Sequence, residues 1–101
     1  MTHNLKGIYA TREVWLDGKK LSPERSQKVY NHSPDGFNWG YMGSGPSQLA
    51  LAVCLEIMGE QQAKNWYQTF KFDIIACLPP NDFEIVIGFR SNNEGWKFWK
   101  I

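Results

Sequence analysis

The sequence predicts an α+β fold: a small antiparallel N-terminal sheet packed on a buried central helix and a second, amphipathic helix. Three observations predict it. The stretch Ile8–Leu16 is rich in β-branched and aromatic residues and leads into Asp17-Gly18. That pair suits a two-residue hairpin, because both central positions of a type I′ turn need positive φ. Leu49–Leu55 is apolar on nearly every side, the pattern of a centrally buried helix. Beyond Gly59, residues Ala63, Trp66, Tyr67, Phe70, Ile74, Cys77 and Leu78 recur at spacings of three and four, which marks an amphipathic helix.

Taken in order, Ile8–Leu16 reads as a strand and Lys19-Lys20-Leu21 as the start of its return. Ser22-Pro23-Glu24-Arg25 reads as a turn, and Gln27–Tyr30 as a further short strand that completes a meander. Residues 31–46 hold four glycines, two prolines and three aromatics with no helical or strand period. So long a loop in a small domain is usually functional or disordered, and its interleaved Phe37, Trp39 and Tyr41 favour order. Gly45-Pro46 then opens the buried helix, since proline is favoured in a first turn. Gln48, three residues after Gly45, is placed to reach back as in a capping box. Gly59 stops that helix and Pro79-Pro80 stops the next. Phe83–Ile87 has strand composition, and Ser91 is placed to cap a last helix over Asn92–Lys100.

Length and composition bound the function. One hundred and one residues with 43% apolar content fit one domain, residues 1–101, able to bury a core. The formal net charge is +1, so direct nucleic-acid binding is not expected. Residues 1–34 carry +3 and the remainder −2, a mild asymmetry that a solvated strand face explains at least as well as a polyanion site. The longest apolar run is seven residues, against roughly 20 for a membrane span. With no signal-peptide pattern or lipidation motif, a cytoplasmic location and no membrane partner are expected. Cys54 and Cys77 both lie in apolar segments and read as unpaired core residues in a reducing compartment. Two isolated cysteines, and a second histidine, His3, in a mobile terminus, suggest no metal site, and no cofactor is implied.

Three places could carry chemistry. Gly43-Ser44-Gly45-Pro46-Ser47, with Gln48, starts a helix, and helix N-termini bind phosphate or carboxylate. The segment lacks the Lys-Ser/Thr of a P-loop, and tight packing of a loop on a helix explains its glycines equally well. His32, Asp35 and Ser44 supply the residue types of a general acid–base site, but without a nucleophile-elbow sequence. A loop-shaping histidine is the plainer reading. Trp15, Tyr30, Phe37, Trp39 and Tyr41, with Arg12 and nearby lysines, could anchor a partner or complete a small core. Trp66, Trp96 and Trp99 have helical spacing and read as core or helix contacts.

The segment Asn31-His32-Ser33-Pro34-Asp35-Gly36-Phe37-Asn38-Trp39-Gly40-Tyr41, with Gly43-Ser44-Gly45-Pro46-Ser47-Gln48-Leu49-Ala50-Leu51-Ala52, resembles the signature of a domain of unknown function. That family consists of small prokaryotic proteins, many encoded by phages, plasmids and other mobile elements. The resemblance continues through Tyr67-Gln68, Phe70-Lys71 and Leu78-Pro79. Met42 and Ser47 stand where the family usually has glycine and alanine. The resemblance implies a mobile-element accessory protein and transfers no catalytic residue.

The leading expectation is therefore a non-enzymatic binding protein of a phage or mobile element, a counter-defence inhibitor of the anti-CRISPR type. It would engage a host protein or ribonucleoprotein through His32, Asp35, Phe37, Trp39, Tyr41, Trp15 and Arg12. The alternative is a binder of a nucleotide or other small anion at Ser44, Gly45, Ser47 and Gln48. A small hydrolase using His32 is a third.

Overall fold

The computed structural model describes residues 1–101. Its strands are β1 (Thr2–Ile8), β2 (Glu13–Leu16), β3 (Lys19–Lys20), β4 (Phe83–Asn92) and β5 (Gly95–Lys100). They form one antiparallel sheet in the order β3-β2-β1-β4-β5. Its helices are α1 (Pro23–Val29), α2 (Ser44–Met58) and α3 (Glu60–Asp73), with a 3-10 turn at Ile75–Cys77. The class is α+β, as the patterning predicts. The Asp17-Gly18 turn forms with φ values of 52° and 81°, both positive as a type I′ turn requires. No helix is long and apolar enough to cross a membrane.

Five elements differ from the sequence reading. The expected strand Ile8–Leu16 is two strands parted by a turn at residues 9–12, which the Arg12 amide closes on the Ile8 carbonyl. Thr2–Ile8, with His3 in it, is not a mobile terminus. It is the central strand, clamped between β2 and β4. The expected strand at Gln27–Tyr30 belongs to helix α1, and the expected turn before it is that helix's N-terminus. Ser22 caps it by accepting from the Glu24 amide, and Pro23 follows in the first turn. The amphipathic helix ends at Asp73; of its last predicted positions Cys77 falls in the 3-10 turn, and Ile74 and Leu78 flank it. Finally, Asn92–Lys100 is not a helix. Phe98 faces the core and its neighbours Lys97 and Trp99 face solvent, which is the period of a half-buried strand. Pairing with β4 satisfies its backbone, and two tryptophans three apart do not make a helix without that choice being open.

Alternation gives the sheet two unlike faces. Leu5, Val14, Leu16, Ile87, Phe89 and Phe98 point inward and join a buried cluster with α2 and α3. Phe70 of α3 closes a three-ring group with Phe89 and Phe98, the centroids 5.2–5.3 Å apart. Helix α2 is buried continuously from Gly45 to Leu55, as its all-round apolarity requires. It fills the middle of the helical layer and brings its N-terminus up against the loop over residues 31–43.

Candidate functional site

The loop is ordered because side chains from every surrounding element tie it down. Gln48, wholly buried in the first turns of α2, does most of this. Its Oε1 accepts from the amides of His32 (2.8 Å) and Ser33 (3.0 Å). Its Nε2 donates to Ser26 Oγ (2.8 Å) and the Tyr30 carbonyl (3.1 Å). Gln48 is therefore not the reciprocal arm of a capping box. It is a bracket joining α1, α2 and the loop, and all four of its hydrogen-bonding sites are used.

Trp39 seals the other end of the loop. It is fully buried, with Nε1 donating to the Asn81 carbonyl (2.9 Å) and its ring set edge-on to Phe83 and Tyr9. Phe37 is buried too. Trp39 has no exposed surface, so the structure places it in the core and not on a recognition surface, while Phe37 keeps only a small edge on the wall of the cleft described below. Ser47 and Gly45 are also buried. A Cβ on Gly45 would fall on Asn38, so this glycine is needed for the loop to lie directly on the helix start. Trp15 lies elsewhere, on the outer face of the sheet beside Lys6. Of the predicted set, Arg12, Asp35, Tyr41 and Ser44 remain at the surface of one cleft.

That cleft measures about 450 Å3 and lies where the β1–β2 turn meets the loop and the start of α2. Arg12, Ser33, Asp35, Tyr41 and Ser44 contribute to its wall. Arg12 holds a φ of 63°, a conformation that a non-glycine residue adopts at a cost. Its guanidinium is stacked on Tyr9 at 3.6 Å from the ring centroid, and its Nε donates to Asn38 Oδ1 (3.1 Å). No carboxylate pairs with it. Helix α2 begins at N-cap Gly43 with no side-chain cap and no acidic residue in its first turn. The positive end of its dipole is thus uncompensated from within the helix. A guanidinium and a bare helix terminus facing one polar cleft can together hold an oxyanion.

The residues of a catalytic site do not converge. His32 Nε2 lies 2.7 Å from the Tyr67 hydroxyl, with Tyr30 stacked on its ring, rather than beside Asp35. The histidine–carboxylate pair that does exist is His3 with Asp17, at 2.6 Å. Its Nε2 is buried without a hydrogen-bond partner, so it activates no nucleophile. Nothing in the sequence marks that pair, because the two residues meet only through the β1–β2 register. No three metal-ligating side chains lie close enough to hold an ion. Cys54 is buried, and burial raises its thiol pKa far above the ordinary value. Cys77 is also free but exposed, not in the core.

Burial, and then the charge of Lys71, hold the pKa of His32 below its usual value. A histidine with a depressed folded-state pKa stays neutral in the fold while the unfolded chain takes up a proton. Stability attributable to it is full above the unfolded value of about 6.5 and declines as pH falls from there toward the folded value. Urea titrations at pH 7.5 and 5.5 should show this loss, and His32→Gln should flatten it. Asp17 contributes in a lower window. A hydrogen bond from His3 lowers its pKa, so its contribution fades only below about pH 4.

A family model described as a family of unknown function (DUF6166) matches residues 5–90, from the central strand through most of β4. No curated protein and no solved structure matches the chain.

Proposed function

Because the chain belongs to DUF6166, a family of unknown function, its own residues must carry the reading, and we propose that it is a non-enzymatic binding protein for a small anionic ligand. The ligand presents a phosphate or carboxylate to the cleft between Arg12 and the start of α2, with a nucleotide as the leading class. One observation carries this: Arg12 is unpaired, and Tyr9 and Asn38 hold its guanidinium in place from a left-handed backbone. The positive φ closes the β1–β2 turn through the Arg12 amide's bond to the Ile8 carbonyl (2.8 Å), and it fixes the guanidinium beside an uncapped helix start, where an anion would be held. Asp35 on the same wall favours a ligand with a hydrogen-bond donor or cationic edge as well as its anion.

Thermal-shift titration with inorganic phosphate and with nucleoside mono- and diphosphates tests the reading. A ligand at 100 times its Kd adds roughly 2.7 kcal/mol, which raises the Tm of a domain this size by about 10 °C or more. Arg12→Gly removes the guanidinium and also relieves the positive φ, so it should keep the fold and abolish the shift. An unaltered shift in Arg12→Gly, or none with any anion, overturns the proposal.

A second reading, a macromolecular partner such as a host protein, draws on Tyr41 and Met42. Both are about half exposed at the rim of the loop. Large apolar side chains at a cleft mouth suit a protein contact. Tyr41→Ala would then weaken partner capture without weakening anion binding.

A further inference from the structure

The outer face of the sheet carries no helix. All three helices pack on the inner side, and the outward positions of β4 and β5 remain open to solvent. Their chemistry is uneven. Arg90 of β4 and Lys97 of β5 are direct cross-strand partners, and neither makes an ion pair. Like charges placed opposite each other weaken a strand pair. On β4 the nearest outward acid, Glu84, is six residues away, about 20 Å along the strand, and Glu94 in the turn that joins the two strands pairs with neither cation. An anion supplied from outside would relieve this pair.

Beside it sits Trp99, 41% exposed. Its partner across the ladder is Gly88, and a Cβ there would fall inside the indole. Glycine thus lets the ring lie across β4, leaving its outer side open. A planar aromatic surface next to two unpaired cations is the arrangement on which unstacked bases and their phosphates settle. The net charge of +1 conceals it, because apart from Glu94 in the adjoining turn the acidic residues lie on the helices, other loops and the other end of the sheet.

We propose that the β4–β5 half of the open sheet face binds single-stranded nucleic acid, with a base stacked on Trp99 and phosphates on Arg90 and Lys97. A duplex hides its bases and offers no ring to the indole. A second copy of this chain, docked through a two-fold axis near the cation pair, would bring Arg90 and Lys97 against their own images.

Fluorescence anisotropy with labelled short oligothymidylate, oligouridylate and a mixed-sequence duplex at low salt tests this. Wild-type protein should bind either single strand in preference to the duplex. Trp99→Ala should weaken that binding about tenfold. Arg90→Ala with Lys97→Ala should lower the slope of log K against log salt by about 1.4, at about 0.7 per phosphate contact. Both cations are exposed, so the double variant remains a fair test if Trp99→Ala folds poorly. No binding, equal affinity for duplex, or affinity unchanged in both variants overturns the proposal. A dimer by sedimentation that Arg90→Glu with Lys97→Glu breaks apart would also overturn it, assigning the face to self-association. Arg12→Gly should bind oligonucleotide normally; loss there would place the strand in the Arg12 cleft instead and overturn this assignment.

Discussion

Replacing Trp39 with alanine is expected to destabilise the whole domain by about 3–5 kcal/mol, the range for removing a fully buried large aromatic. Trp39 has no exposed surface and sits at the junction of the loop, the β1–β2 turn and the segment before β4. Its loss removes ring contacts with Tyr9 and Phe83 and leaves the Asn81 carbonyl without its indole donor. For a domain near one hundred residues the Tm should fall by about 15–30 °C. A total stability of about 5–15 kcal/mol leaves little behind. Circular dichroism melts decide this. A variant that melts like wild type while losing only ligand binding would show that Trp39 is a contact residue after all. Trp39→Phe keeps part of the volume and should lie between the two.

Gln48→Leu is the second large effect, about 1–3 kcal/mol, and it arises from polarity rather than volume. Leucine is close in size, but it leaves the Ser33 amide without its acceptor and takes away one of the two donors to the Tyr30 carbonyl. Each buried polar group stranded in this way costs about 1–3 kcal/mol. The His32 amide keeps a 3.2 Å bond to the Tyr30 carbonyl, and Ser26 Oγ keeps its bond to the Pro23 carbonyl, so these two lose less. Hydrogen exchange should localise the damage to residues 31–43 and the end of α1. Gln48→Glu retains the acceptor for both amides but loses the donor arm, so the two variants separate the halves of the bracket. A double-mutant cycle with Ser26→Ala should show coupling, since the groups touch at 2.8 Å. Uniform protection across the loop in Gln48→Leu would mean that the bracket does not hold it.

The class, the Asp17-Gly18 hairpin, the buried helix and its stop at Gly59 were legible because each follows from local rules. A type I′ turn needs positive φ at two consecutive positions, and an all-apolar helix needs burial on every side. The α1 helix was also written locally, in Ser22-Pro23-Glu24, where capping and turn chemistry share the same residue types. The same three residues also suit a turn, so local chemistry alone does not separate the two. Strand β5 was different. Trp96 and Trp99 satisfy a helical spacing, and only the presence of β4 alongside selects the extended form.

The candidate site was legible as a place and not as a set of contacts. An ordered aromatic loop leading into a glycine-rich helix start is visible in residues 31–46. Which of its aromatics face inward is not, because a buried and an exposed tryptophan are the same letter. His32 illustrates the point: Tyr67, its hydrogen-bond partner, is 35 residues away on another helix.

By itself, then, the sequence determined what is periodic or sterically forced: the class, the central helix, the turns and the position of the loop. Tertiary structure alone decided which side chains are spent on stability and which are left free. Trp39 and Gln48 went to the core because α2, Phe83 and the segment around Asn81 converge on them. Arg12 and Trp99 remained outside because a positive-φ turn and a facing glycine hold them there. Burial is set by elements distant in the chain, and no local pattern encodes where those elements will meet.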